Sequence, residues 1–283
     1  MLKIALPNKG RLFDEVKSTL ADAGLEVRAS SERALTASLG GEFMALFVRA
    51  EDIPEFVADG AAHAGITGWD CVQESGRALE SLLDLGFGRC HLAVAARHAR
   101  AIADIPDGAS VATSFPRLAA RFFDEKKKPV RIAVVSGAAE VAPHLGIADV
   151  IVDLVSTGST LKVNGLTELD TVLASSARLV ALPRVTLAAD VEKELSELAL
   201  ALESVVRARG QRYLMANAPR DRLDAVKALL PGISGATVVD LADATFVAVH
   251  AVVPERAVYR TIGALKELGC EGILVTRIER LTP

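Results

Sequence analysis

The stretch Val150-Ile151-Val152-Asp153-Leu154-Val155-Ser156-Thr157-Gly158-Ser159-Thr160-Leu161 reads as an apolar strand that ends in a hydroxyl-rich turn and enters a helix. Strand, turn and helix in that order are the repeating unit of an α/β layer. Gly158 allows the backbone to curl so that successive N–H groups face one anion, and Thr157, Ser159 and Thr160 add hydroxyls. A helix N-terminus supplies partial positive charge, so a phosphomonoester is held there without a lysine. Asp153 repels a phosphate at close range; it suits ribose hydroxyls or a bound Mg²⁺. Phosphate and ribose need opposite chemistry, and this spacing offers both. The plainer alternative is a Ser/Thr-capped helix after a strand.

Working outward, residues 2–6, 43–48, 90–96, 130–135 and 149–155 form apolar runs of strand length. Between the first two lies a helical face of Leu12, Phe13, Val16 and Leu20 closed by Gly24. A short helix is expected over residues 51–58, with Pro54 in its first turn. The alternation predicts α/β layers with mostly parallel sheets. Residues 185–209 contain no Gly or Pro and predict one long helix ending at Gly210. Beyond it the pattern runs strand (212–216), helix (220–230), strand (237–240), strand (246–253), helix (255–268), strand (272–278). That βαββαβ order is ferredoxin-like, a fold that by itself carries no activity.

At 283 residues two or three domains are expected. Hydrophobic residues make up 51% and charged residues 24%, the balance of a globular chain rather than a disordered one. A net charge of −4 disfavours a general nucleic-acid binder. Cys71, Cys90 and Cys270 show neither CxxC nor zinc spacing, so reduced thiols are expected. Pro7 interrupts the first apolar run, and no run approaches the roughly 20 residues of a membrane span. A cytoplasmic protein with no membrane partner is the expectation. The tract Lys126-Lys127-Lys128-Pro129 reads as a solvated helix end, and none of the five histidines has the spacing of a metal site.

Several separated segments resemble, in order, one family. Ala5-Leu6-Pro7-Asn8-Lys9-Gly10-Arg11-Leu12, Arg49-Ala50-Glu51-Asp52-Ile53-Pro54, Gly65-Ile66-Thr67-Gly68-Trp69-Asp70, Gly86-Phe87-Gly88-Arg89-Cys90-His91-Leu92 and residues 140–161 are similar to the blocks of ATP phosphoribosyltransferase, long form. The resemblance spans the chain. It implies two lobes like type II periplasmic binding proteins around a cleft, plus a C-terminal ferredoxin-like regulatory domain. The implied division is lobe I at 1–97 with a return segment near 180–210, lobe II at 98–179, and the regulatory domain at 211–283. It implies ATP and phosphoribosyl pyrophosphate as substrates, Mg²⁺ as cofactor, histidine as inhibitor, and a homo-oligomer from dimer to hexamer.

By the same resemblance Asp153 holds ribose hydroxyls while Thr157, Gly158, Ser159, Thr160 and Leu161 grip the 5-phosphate. Lys9, Arg11 and Arg49 face the triphosphate and pyrophosphate, and Glu140 faces the reacting sugar or its metal. Asp70 either contacts the nucleotide or caps the helix that follows. Trp69 is expected to pack structurally rather than stack on adenine, and Cys90 to be a buried small residue rather than a nucleophile. The implied histidine site comprises Asn217, Ile233, Thr237 and Gly272; the turn at residues 231–237 is equally readable as structural. Four positions depart from the family pattern. Ala138 and Ala139 offer no hydroxyl beside Glu140, His63 replaces an aspartate, and Asn217 replaces an acid found in some relatives.

Rival readings are a nucleobase phosphoribosyltransferase and a non-catalytic two-lobed binding protein with a sensor domain. The first usually carries two adjacent acids before its threonine-glycine turn, where this chain has Leu154 after Asp153. The nearly complete substrate motifs disfavour the second. A catalytically silent relative of histidyl-tRNA synthetase is disfavoured because the blocks resemble the catalytic chain.

Overall fold

Strand β1 (Lys3–Pro7) buries every residue after Lys3, because elements cover both faces of its sheet. A computed structural model describes residues 1–31, 34–137 and 139–282. After β1 come α1 (Arg11–Asp22), β2 (Val27–Ala29), β3 (Thr36–Leu39), β4 (Phe43–Val48), α2 (Ile53–Ala58), β5 (Ala64–Gly68), α3 (Trp69–Ser75) and β6 (Glu80–Asp84). The chain then crosses to β7 (Cys90–Ala96), β8 (Ala109–Thr113), α4 (Pro116–Glu125), β9 (Val130–Val134), β10 (Val150–Val155), α5 (Ser159–Val163) and β11 (Thr167–Ser175). It returns with β12 (Ala177–Ala181) and continues into α6 (Ala189–Ala208).

Two sheets result, and they repeat one topology. Lobe I has the order β2-β3-β4-β1-β5-β12-β6, and lobe II the order β11-β7-β10-β8-β9. In each, three parallel strands (β4-β1-β5 and β9-β8-β10) are joined by the strand that has just arrived from the other lobe. That strand, β12 or β7, pairs antiparallel on both sides. This is the arrangement of the type II periplasmic-binding-protein lobe.

The expectation of mostly parallel sheets is therefore corrected. Parallel pairing is confined to four ladders, and the incoming and final strands run the other way. Strands β2, β3, β6 and β12 in lobe I and β7 with β11 in lobe II create those antiparallel ladders, and single-strand hydrophobicity does not report direction. Strand β7 pairs within the second sheet and β12 within the first. A fully apolar strand fits either sheet by composition, so only its partners decide.

The faces of lobe II separate by strand period two. Val150 and Val152 join Leu92, Val94, Val111 and the α4 residues Leu118, Phe122 and Phe123 in one core. Ile151 and Val155 join Ala93, Ala95, Ala139, Ala142 and Leu161 in another. In lobe I, Ile53 and Val57 of α2 pack on Ala5 and Ala62.

The described chain divides into two compact units, Met1–Ala199 and Leu200–Pro283. The expected single helix over 185–209 is shortened at its start: residues 184–186 form a separate 3₁₀ turn, Leu187 is extended, and α6 begins at Ala189. The C-terminal unit contains β13 (Gln211–Pro219), α7 (Leu223–Leu229), β14 (Thr237–Asp240), β15 (Phe246–Pro254), α8 (Val258–Glu267) and β16 (Glu271–Arg277). Its sheet order β14-β15-β13-β16, antiparallel throughout, is the ferredoxin-like pattern. Leu214, Val226, Leu230, Val247, Val249 and Leu265 form its own core.

Candidate active site

Parallel strands of an open α/β sheet present ligands at their carboxyl ends. In lobe II those ends carry the candidate donor residues. Asp153 shares the face of Ile151 and Val155, so strand alternation alone points it toward the 3₁₀ turn at Ala139–Val141 and toward α5. Glu140, Asp153, Ser156, Thr157, Gly158, Thr160 and Leu161 line one open cleft of about 220 Å³. Leu161 is buried in the core below, while Thr157, Ser159 and Thr160 are exposed above it. The loop is thus anchored by an apolar residue on its underside and polar on its upper surface.

Gly158 adopts φ +72°, the left-handed region in which only a glycine is unstrained. Thr157 Oγ1 and Ser159 Oγ lie 2.9 Å apart, and Lys162 N–H donates to the Gly158 carbonyl at 3.1 Å. Asp153 Oδ1 accepts the Leu154 N–H at 2.8 Å. Burial nevertheless holds the Asp153 carboxyl above its usual range; the Leu154 bond works against this, and the nearby Glu140 charge adds to it. Two carboxylates that repel each other across a cleft favour a ligand that brings hydroxyl donors or positive charge between them. Ala138 lies outside the described residues, and Ala139 is buried in the core beneath the cleft.

In lobe I the parallel neighbours β4, β1 and β5 end at Val48, Pro7 and Gly68, so the segments carrying Arg49, Lys9 and Asp70 emerge along one edge. Lys9 and Arg11 are exposed, and Arg11 Nε reaches Glu15 at 2.8 Å. Arg49 is held by Asp52 at 2.9 Å, and that bond, with the Asp52 and Glu51 charges, raises its pKa further. An arginine fixed by acids on its own loop presents a preset orientation to an incoming phosphate.

Asp70 lies in the first turn of α3, next to this edge. It is 5% exposed, and its backbone N–H donates to Ser175 Oγ at 3.0 Å, while the Ser175 hydroxyl donates to Asp70 Oδ1. It makes no side-chain cap of α3. The carboxylate ties α3 to the end of β11. The partner, Ser175, carries no sequence signal, since the two residues are 105 positions apart. Trp69 packs structurally, with the Arg178 guanidinium 4.3 Å from its ring centre.

The remaining polar candidates have structural partners. His63 Nδ1 accepts the Lys3 N–H at 3.0 Å. His91 lies 2.8 Å from Glu168, His144 lies 2.8 Å from the Asn164 carbonyl, and His250 lies 2.9 Å from Tyr213 Oη. Burial pushes the Cys71 thiol well up, helped by the Asp70 charge, and burial also raises Cys90. Lys126 and Lys128 at the end of α4 pair with Asp170 and Asp107.

In the C-terminal unit, Asn217 on β13 and Gly272 on β16 are neighbours; a side-chain carbon added to Gly272 would lie 3.3 Å from Asn217 Nδ2. Thr237 on edge strand β14 shares their open face through His250 and Met215, but β15 stands between it and Asn217. Two strand spacings, roughly 10 Å, separate them. Ile233 is exposed on the loop before β14.

No helix among the described residues is long and apolar enough to cross a membrane. A family model described as ATP phosphoribosyltransferase matches residues 49–204, and one described as HisG, C-terminal domain matches residues 208–280. An ATP phosphoribosyltransferase of Gemmatimonas aurantiaca is 62% identical, covering 100% of both chains. One of Methanocella arvoryzae is 47% identical, covering 99% of each. Among solved structures, the ATP phosphoribosyl transferase (HisG:HisZ) complex from Thermotoga maritima superposes with a TM-score of 0.64 at 31% identity. That match covers 73% of this chain and 99% of the other.

Proposed function

The chain belongs to the ATP phosphoribosyltransferase family, and from that premise we propose how its residues divide the work of the reaction. The enzyme transfers the 5-phosphoribosyl group of phosphoribosyl pyrophosphate to N1 of ATP, giving N1-(5-phosphoribosyl)-ATP and pyrophosphate, the first step of histidine biosynthesis. Thr157 to Leu161 hold the 5-phosphate through hydroxyls and curled backbone, and Asp153 accepts from the ribose hydroxyls. Lys9, Arg11 and Arg49 face the ATP triphosphate and the departing pyrophosphate. The observation that carries this division is the cleft lined by Glu140, Asp153 and the Thr157–Leu161 loop on a chain whose relatives match end to end.

Adenine N1 attacks without first losing a proton, so no general base is needed to activate it. The C1–oxygen bond breaks as the N1–C1 bond forms, and its electron pair leaves with pyrophosphate. Positive charge grows on the sugar ring beside Asp153 and Glu140, while negative charge grows on pyrophosphate beside the lobe I cations. Catalysis is therefore positioning and electrostatics.

We assign Mg²⁺ as the metal, which Glu140 and Asp153 would hold together with the donor's diphosphate. Among the described residues no group of three or more His, Cys, Asp or Glu side chains is arranged to hold a metal alone. Magnesium commonly takes one or two carboxylates and completes its shell with substrate phosphates and water, a demand that Glu140 and Asp153 fit. When bound, it neutralises the pyrophosphate charge. Asp70 supports the acceptor side by position rather than contact. Free histidine inhibits from the C-terminal unit, with Asn217, Ile233, Thr237 and Gly272 as its contacts, and the chain works as a cytoplasmic homo-oligomer.

The test is direct. Purified chain, ATP, phosphoribosyl pyrophosphate and Mg²⁺ are expected to give product absorbance in the near ultraviolet. No turnover with pyrophosphatase present would reject the assignment.

A further inference from the structure

Helix α4 of lobe II begins without a cap of its own. Phe115 at its N-cap contributes no side-chain bond, and Pro116 has no N–H to offer. The next two donors are met from the other lobe. Glu74 of α3 accepts the Arg117 N–H on Oε1 and the Leu118 N–H on Oε2, both at 2.9 Å. A carboxylate there satisfies two otherwise free donors and sits at the positive end of the helix.

The reverse contact is also made. The guanidinium of Arg117 lies over Gly76, the left-handed residue that ends α3, with Cζ 2.6 Å from where a side-chain carbon would be. A cation from the first turn of α4 thus stands at the carbonyl end of α3, while an anion from the last turn of α3 stands at the amide end of α4. The opposite end of α3 is fastened to lobe II by the reciprocal Asp70–Ser175 bonds, both residues being nearly buried. Helix α3 belongs to lobe I yet is tied to lobe II at both ends, and no part of the joint lines the donor cleft.

We propose that this joint sets the angle between the lobes and that Glu74 is a positioning residue for phosphoribosyl transfer. The proposal rests on the assignment of the donor to lobe II and the cations facing ATP to lobe I. The ATP triphosphate meets lobe I alone, and the donor's 5-phosphate and ribose meet lobe II alone, so neither grip depends on Glu74. The joint sets the distance from adenine N1 to the anomeric carbon and from the donor's pyrophosphate to the lobe I cations.

Loss of the joint should therefore lower kcat and spare donor binding. In full-length Glu74→Ala, with the folded fraction fixed by circular dichroism, kcat is expected to fall about tenfold. The KM for phosphoribosyl pyrophosphate should stay within about twofold of wild type. Glu74→Gln keeps one accepting oxygen and should recover part of the loss; it also carries the test should the alanine variant not fold. A kcat per folded chain equal to wild type, or a loss lying wholly in KM, overturns the proposal. Spin labels at Glu42 of lobe I and Glu125 of lobe II read the joint without substrate. Their distance distribution should broaden in Glu74→Ala, and an unchanged distribution overturns the proposal independently. Absence of turnover in the wild-type chain would count against the enzymatic assignment and leave the distance measurement standing.

Discussion

Asp153 shows how a residue proposed for the donor site is held at the expense of stability. Its carboxyl is kept above its usual range, mainly by burial. For an acid shifted upward the native state binds more protons than the unfolded chain between the two pKa values. Stability is accordingly lost as pH rises from the unfolded value through the folded one, and the loss is complete above the folded value. Asp153→Asn keeps an acceptor for the Leu154 N–H and removes the charge. It should raise the Tm of the substrate-free chain by about 1–2 °C at pH 7. The gain should shrink below the unfolded value, and donor turnover should fall by at least about tenfold. A lower Tm at pH 7, by scanning calorimetry, contradicts the assigned cause of the shift. Asp153 was legible because an acid inside an apolar run is conspicuous. The inward turn of Asp70 was not, since its partner Ser175 is distant in sequence and ordinary in type.

At the level of elements, the proposed donor loop is built on a five-residue helix pinned from below by Leu161 and turned from above by Gly158. A methyl group at Gly158 meets nothing nearer than Val155 Cγ1 at 3.9 Å, so its cost is conformational rather than steric. Gly158→Ala should lose about 1–2 kcal/mol, read as a lower urea midpoint, whereas Gly158→Asn should lose less because asparagine tolerates the left-handed region. Equal midpoints for Gly158→Ala and wild type would remove backbone strain as the reason for glycine. The strand–turn–helix order was readable from apolar spacing and the Ser/Thr/Gly cluster. The antiparallel placement of β7 and β12 was not, because a run such as Leu92 to Ala96, buried on both faces, has no orientation in its composition.

At the level of the molecule, the C-terminal unit has a separate core in Leu214, Val226, Val249 and Leu265, while the lobes close their own. Deleting the residues after Gly210 should remove inhibition by histidine, measured as the loss of its effect on initial rate. Inhibition that survives the deletion would put the effector site in the lobes. The βαββαβ order of this unit was visible because each element has a clear period and a Gly or Pro boundary. The two crossings between the sheets were not marked, because each is only a short turn, residues 85–89 and Ser176, between one strand and the next.

The sequence by itself determined the element types, the donor loop, the order of the family's blocks and the ferredoxin-like tail. Those are local properties, written in the spacing of apolar residues, hydroxyls and glycines. Tertiary structure alone decided which strands pair, which carboxylates face the cleft and which hold the lobes together. Glu74 meets α4 across more than forty residues and Asp70 meets Ser175 across more than a hundred. No periodicity within either segment records such a contact, because the hydrogen bond forms only after two separately folded layers are brought to one edge.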